Sequence, residues 1–136
     1  MVFADQLKAA VDKRKADLET IAKRALGSAV DELLYRSPVR TGAFRGNWQF
    51  GDGAVNDDTG SLPDMSGSVA RDRIMTAIAS AKMGNVWYVS NSLAYAHRLE
   101  YDNWSAQAPG GMVRLTVQNF SEHVRKAVES VKGGLS

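Results

Sequence analysis

Apolar side chains at Phe3, Leu7, Ala10, Val11, Leu18, Ile21, Ala22, Ala25, Leu26, Ala29, Val30, Leu33 and Leu34 recur at i, i+3, i+4 and i+7. The pattern lapses only around Arg14 and predicts one helix over 4–35, within a first segment 1–36. Lys8, Asp12, Lys15, Glu19, Lys23 and Asp31 take the opposite face, at spacings that suit ion pairs one turn apart. Such a helix is about 48 Å long, whereas a domain of this size is only about 30 Å across. Part of it is therefore expected to project, bend or pack on another subunit; a break at Gly27 and Ser28 is the alternative.

Ser37 and Pro38 end the helix, because a residue before proline is driven out of the α region. Thr41 and Gly42 signal a turn. Phe44, Gly46, Trp48 and Phe50 then alternate with polar residues, which predicts a half-buried strand over 44–50. Residues 51–68 lack periodicity and read as a solvated, flexible acidic loop. Ile74, Ala77, Ile78 and Ala81 predict a helix over 69–82 with Ser68 as its N-cap. Val86–Val89 is a second strand, paired with the first. An aromatic loop follows, so that 86–112 holds a strand and a loop. Met112, Leu115, Phe120, Val124, Ala127, Val128 and Val131 predict a final helix over 113–132, stopped at Gly133 and Gly134. The expected fold is α+β: one domain over 1–136, with a long N-terminal helix and a C-terminal helix packed on a small, mainly antiparallel sheet.

Charge adds one feature. Residues 1–50 carry 9 basic and 6 acidic groups, 69–136 carry 8 and 5, and 51–68 carry 4 acidic groups and no basic one. The chain has no cysteine, which excludes disulfides and thiolate chemistry. No apolar run is long enough to span a membrane, and the first residues lack a signal-peptide pattern.

Candidate chemistry is sparse. His97 and His123 have no nucleophile elbow near them. His97, Glu100 and Asp102 offer one short cluster without a second pair of metal ligands, and the aspartates of 51–68 lack calcium-loop spacing. Gly51-Asp52-Gly53 lacks the lysine and helix start of a phosphate loop, and Pro109-Gly110-Gly111 lacks the strand–turn context of a dinucleotide fingerprint. No catalytic residue, cofactor or metal is expected. Lys13–Lys15, Lys23, Arg24, Arg36, Arg40 and Arg45 keep open an alternative, a nucleic-acid-binding accessory protein using the basic face of the first helix, although acidic residues interleave with them. Glu100, between Leu99 and Tyr101, reads as a half-buried carboxylate that needs a partner: Arg98, Arg114 or an arginine of a neighbouring subunit.

Three stretches carry a family resemblance. Ser37-Pro38-Val39-Arg40-Thr41-Gly42-Ala43-Phe44-Arg45-Gly46-Asn47-Trp48 resembles the P-V-x-T-G-x-L/F-R-x-S/N-W segment of tailed-phage neck and tail-completion proteins of the HK97 gp10-like family. Residues 88–101 resemble its Y-x-x-N-x-x-x-Y-A-x-x-L/V-E-Y-G segment, and 104–114 the W-S-x-Q-A-P-x-G-M-V-R that follows in one branch. Where the family often has glycine after Glu-Tyr, this chain has Asp102 and Asn103, which also tolerate left-handed turns.

The resemblance implies a virion structural protein at the head–tail junction, not an enzyme. It implies assembly in the host cytoplasm as a homo-oligomeric ring, a hexamer or dodecamer, and residence in the neck or tail. Its implied partners are copies of itself, a head connector or adaptor, and a tail terminator or tail-tube protein. DNA would pass through the lumen without sequence-specific binding, and no membrane is involved. The matching residues become fold and interface candidates. Thr41 and Gly42 set the helix-to-strand turn; Trp48, Tyr88 and Tyr95 fill the core; Glu100 and Arg114 tie the aromatic loop to the last helix or a neighbour. Leu99, Trp104 and Met112 join them as structural or interface candidates.

Overall fold

The computed structural model describes residues 3–102 and 104–133. Helix α1, Phe3–Arg36, runs without a break, so the alternative of two pieces does not hold. Gly27 has a packing reason instead: a Cβ there would sit 3.2 Å from the Met75 sulfur, so the missing side chain lets a second helix approach closely. The helix ends where the Ser37 hydroxyl donates to the Leu33 carbonyl (2.6 Å) and accepts from the Trp48 indole N–H (2.7 Å).

The expected strand over 44–50 is a correction. Ala43–Gly46 form a single helical turn, α2, and only Gln49–Asp52 form strand β1. Phe44 and Trp48 are spaced by two periods of a strand but also by one turn of a helix. Gly42, at φ 88°, decides for the turn: its carbonyl accepts from the Gly46 N–H, and the Asn47 amide group closes back onto the Ala43 carbonyl. The two rings then meet edge-to-face at 5.8 Å.

Strand β1 pairs antiparallel with β2, Trp87–Ser90, in the register Phe50 to Val89 and Gly51 to Tyr88. This two-stranded ribbon, with the long helix and the C-terminal helices, makes the fold α+β. The core cluster takes Trp87 and Val89 from β2, so the core role expected for Tyr88 passes to its neighbours on the opposite strand face. Tyr95 is half-buried against that cluster, and Val30, Ile74 and Met112 are sealed at its centre.

Residues 53–67 contain no regular structure, yet they are pinned rather than loose. Asn47 and Gln49 hold Ser61, the Ser90 hydroxyl donates to the Asn56 carbonyl, and Asp64 N–H donates to Gly42. The side chains of Asn47, Gln49 and Ser90 thus make bonds that a free acidic loop would make with water. Helix α3, Ser68–Ser80, is not capped by Ser68. Buried Asp64 accepts from the N–H groups of Gly67 (3.1 Å) and Ala70 (2.9 Å). Asp64→Ala should cost about 1–2 kcal/mol, lowering the melting temperature by about 3–8 °C in a thermal circular-dichroism scan.

The aromatic loop contains a short helix, α4, Ala96–Tyr101. The single helix expected over 113–132 is two: α5, Val113–Gln118, and α6, Phe120–Gly133. Asn119 interrupts them because its amide leaves the local helix to donate to Glu32 of α1 (2.9 Å). The stop expected at Gly134 and the Asn103 half of the Asp102–Asn103 turn lie outside the described residues.

Helix α6 runs antiparallel along the second half of α1, with His123 at Glu32 and Ser130 at Arg24. From Ala4 to Ala16 every residue of α1 is exposed, so the first half of the helix projects beyond the body.

Candidate functional site

Glu100 lies on the buried side of α4, 6% exposed. Its Oε2 accepts from the backbone N–H groups of Met112 (2.6 Å) and Val113 (2.9 Å), and its Oε1 from Arg114 N–H (2.8 Å) and Arg114 Nε (3.3 Å). The Arg114 guanidinium also donates to the Glu100 carbonyl. The carboxylate therefore caps the start of α5 from a helix twelve residues earlier in the chain. Burial alone would push its pKa up, but those N–H groups and the guanidinium outweigh burial and hold it below the ordinary glutamate range. Gly111, at φ 90°, makes the approach possible, since a Cβ there would fall 2.6 Å from the Glu100 carbonyl oxygen.

Of the partners expected for Glu100, Arg114 is the one found. Arg98 stands over the Trp104 ring at 5.6 Å, and Arg114 also covers the Tyr101 ring at 4.9 Å. Sequence alone did not show the three backbone donors, which belong to no residue type.

Beside this cradle opens a groove of about 710 Å³. Thr41, Gly42, Tyr95, Leu99 and Trp104 all line it, with Phe44. Tyr95 stacks obliquely on both Phe44 and Trp104, each at 5.9 Å. The Gln107 side chain clamps Val39 through both its N–H and its carbonyl, at 2.8 and 3.2 Å. Asn91 donates to the Phe44 carbonyl at 2.9 Å. Residues from 37–48, 88–101 and 104–114, the first far along the chain from the other two, are thus tied into one surface. Trp48, Glu100 and Met112 line a second hollow of about 210 Å³, which shares Phe44 with the groove. Tyr88 lines neither.

No family model, curated protein or solved structure matches this chain. What the groove can do is therefore read from its own chemistry. It is aromatic and aliphatic, with Arg40 on its lining and Trp104 56% exposed at its edge. That composition suits protein contact more than bond-making. His97 stacks on Tyr101 at 4.7 Å. His123 instead reaches Glu32 at 2.7 Å, between α6 and α1. Among the described residues no group of three or more histidines and carboxylates is placed to hold a metal ion, and no helix is long and apolar enough to cross a membrane.

A second polar cluster escaped the sequence pattern. Glu32 accepts from Arg36 (2.7 Å), Asn119 (2.9 Å) and the His123 ring, locking α6 onto α1. Burial again opposes its ionisation, and the bonds from Arg36, Asn119 and His123 prevail, leaving the carboxyl below its usual range. Only the one-turn spacing of Glu32 and Arg36 was visible beforehand.

Proposed function

We propose that this protein is a structural component of a tailed-phage head–tail junction, a neck or tail-completion protein that works by ring assembly and not by catalysis. The observation that carries this reading is the convergence just described. The three stretches that resemble such proteins contribute to one aromatic surface with Trp104 exposed at its edge. Helix α1 supports it: Leu7, Val11 and Leu18, on one stripe, are 54%, 42% and 59% exposed on the projecting half, an arrangement suited to a neighbouring subunit. The proposed partners are further copies of this chain, with a head connector or adaptor on one side and a tail terminator or tail-tube protein on the other. DNA would traverse the lumen, with the protein resident in the virion after assembly in the host cytoplasm.

The test is the solution mass by light scattering after size exclusion, over a wide concentration range. A species of ring mass is the expected result. A monomer at every concentration would overturn the self-assembling ring. If that monomer bound duplex DNA with an affinity falling steeply with salt, and lost it on charge reversal at Lys13, Arg14 and Lys15, the accessory-protein alternative would take its place.

A further inference from the structure

We infer that the acidic loop over 53–63 of one copy docks into a basic groove between α1, α3 and α6 of the next copy. The inference rests on the ring reading and specifies one contact within it.

The groove holds about 660 Å³. Its lining carries four cationic side chains: Lys23, which also meets Glu19 at 2.9 Å, Arg24, which donates to Ser130 at 2.8 Å, Arg71, which meets the lining carboxylate Asp31 at 2.6 Å, and Lys126. Its floor is apolar, made by Met75, Ile78 and Ala127, the last two buried at 3% and 4%. A cleft with a cationic rim and an apolar floor fits a segment that offers carboxylates and aliphatic side chains together.

The same chain presents such a segment. Asp57 and Asp58 are exposed in a stretch with no basic residue, and Val55 and Leu62 beside them are 53% and 83% exposed. The loop is also ordered in advance. Asn56, Ser61 and the Asp58 carbonyl are held by Phe50, Asn47, Gln49 and Ser90, so docking need not freeze a free chain.

Knob and groove lie on different faces of the protomer. Arg71 and Arg73, two apart on α3, show the division: Arg71 turns to Asp31 on the groove side, while Arg73 turns to the carbonyls of Gly46 and Trp48 beneath the loop. A copy cannot fill its own groove with its own loop across that helix. Two different faces joined copy to copy give a head-to-tail contact, the kind that closes into rings.

The experiment uses two variants of the full chain, each changed only at exposed positions. One is Asp57→Ser/Leu62→Ser, which spoils the loop without giving it a charge that a reversed groove could pair with. The other is Arg24→Glu/Lys126→Glu, which spoils the groove. Both are first checked for wild-type circular dichroism and melting. Each alone should weaken self-association by about a hundredfold in light scattering. Mixed together they retain one intact loop and one intact groove between them, and should form a one-to-one dimer that goes no further. Raising salt should weaken both this dimer and the wild-type assembly. If wild type and both variants assemble alike, this contact is wrong and the ring reading stands. If the variants are monomeric but their mixture stays monomeric, the loop and groove do not meet each other. If wild type itself is monomeric at every concentration, the contact and the self-assembling ring fall together.

Discussion

Glu100→Ala is expected to cost about 2–4 kcal/mol, a large share of the 5–15 kcal/mol that holds a domain of ordinary stability together. Removing the carboxylate strands the N–H of Met112, which is 1% exposed, and frees the more exposed N–H groups of Val113 and Arg114 to seek water. It also removes the carboxylate acceptor of the Arg114 side chain, which keeps its bond to the Glu100 backbone carbonyl. Chemical denaturation should show the midpoint shift with an unchanged slope, and hydrogen exchange should place the largest loss of protection at the start of α5. A drop under about 1 kcal/mol would mean water replaces the carboxylate without penalty.

The pH dependence has the same origin. Glu100 and Glu32 both have pKa values below the ordinary one in the folded chain, so at moderately acidic pH the unfolded chain binds more protons. Their contribution is complete above the unfolded glutamate pKa of about 4.3. It is lost as pH falls from there through the lower folded values. Glu100→Gln, which keeps one acceptor oxygen and cannot ionise, should flatten the acid limb of a stability-against-pH curve.

Gly42→Ala is the second large effect. At φ 88° any L side chain is strained by about 1–2 kcal/mol. The added Cβ would also fall 2.5 Å from the Met65 nitrogen and 2.6 Å from the Asp64 carbonyl carbon, both backbone atoms that cannot swing aside. The loop would have to lift away, breaking the bond from Asp64 N–H to the Gly42 carbonyl (2.9 Å) and loosening the cap of α3. The expected total exceeds about 3 kcal/mol. Gly53→Ala is the control, since Gly53 has φ 83° but no atom within 4 Å of the Cβ position. It should show the conformational penalty alone, and equal melting temperatures for the two variants would refute the steric part.

These two residues show what the sequence made legible. Gly42 stood out because a turn there needs a left-handed residue, and Glu100 because a carboxylate between Leu99 and Tyr101 must be paired. What each meets was hidden. The partners of Glu100 are backbone N–H groups, and the neighbour of Gly42 is the backbone of a loop some twenty residues on. Helix α1 was legible because its period is sustained over many turns. The 44–50 segment was not, because Phe44 and Trp48 satisfy strand and helix spacing alike. The break at Asn119 was masked by apolar residues that continue the helical period across it. Trp87, Tyr88 and Val89 are all strand formers, so the pattern fixed the strand but not which face turns inward.

The projecting half of α1 has a consequence for how the chain folds. A helix so long gains its first turns cheaply only where tertiary contacts hold them, and here those contacts lie between Lys23 and Leu34. The turns nearest Ala4 grow outward from that seed as a propagation without tertiary reward. Order in the arm is therefore graded along its length, firmest at the body and softest at the tip. The arm is a stiff rod clamped at one end, and a partner that grips its tip holds a helix that is already formed.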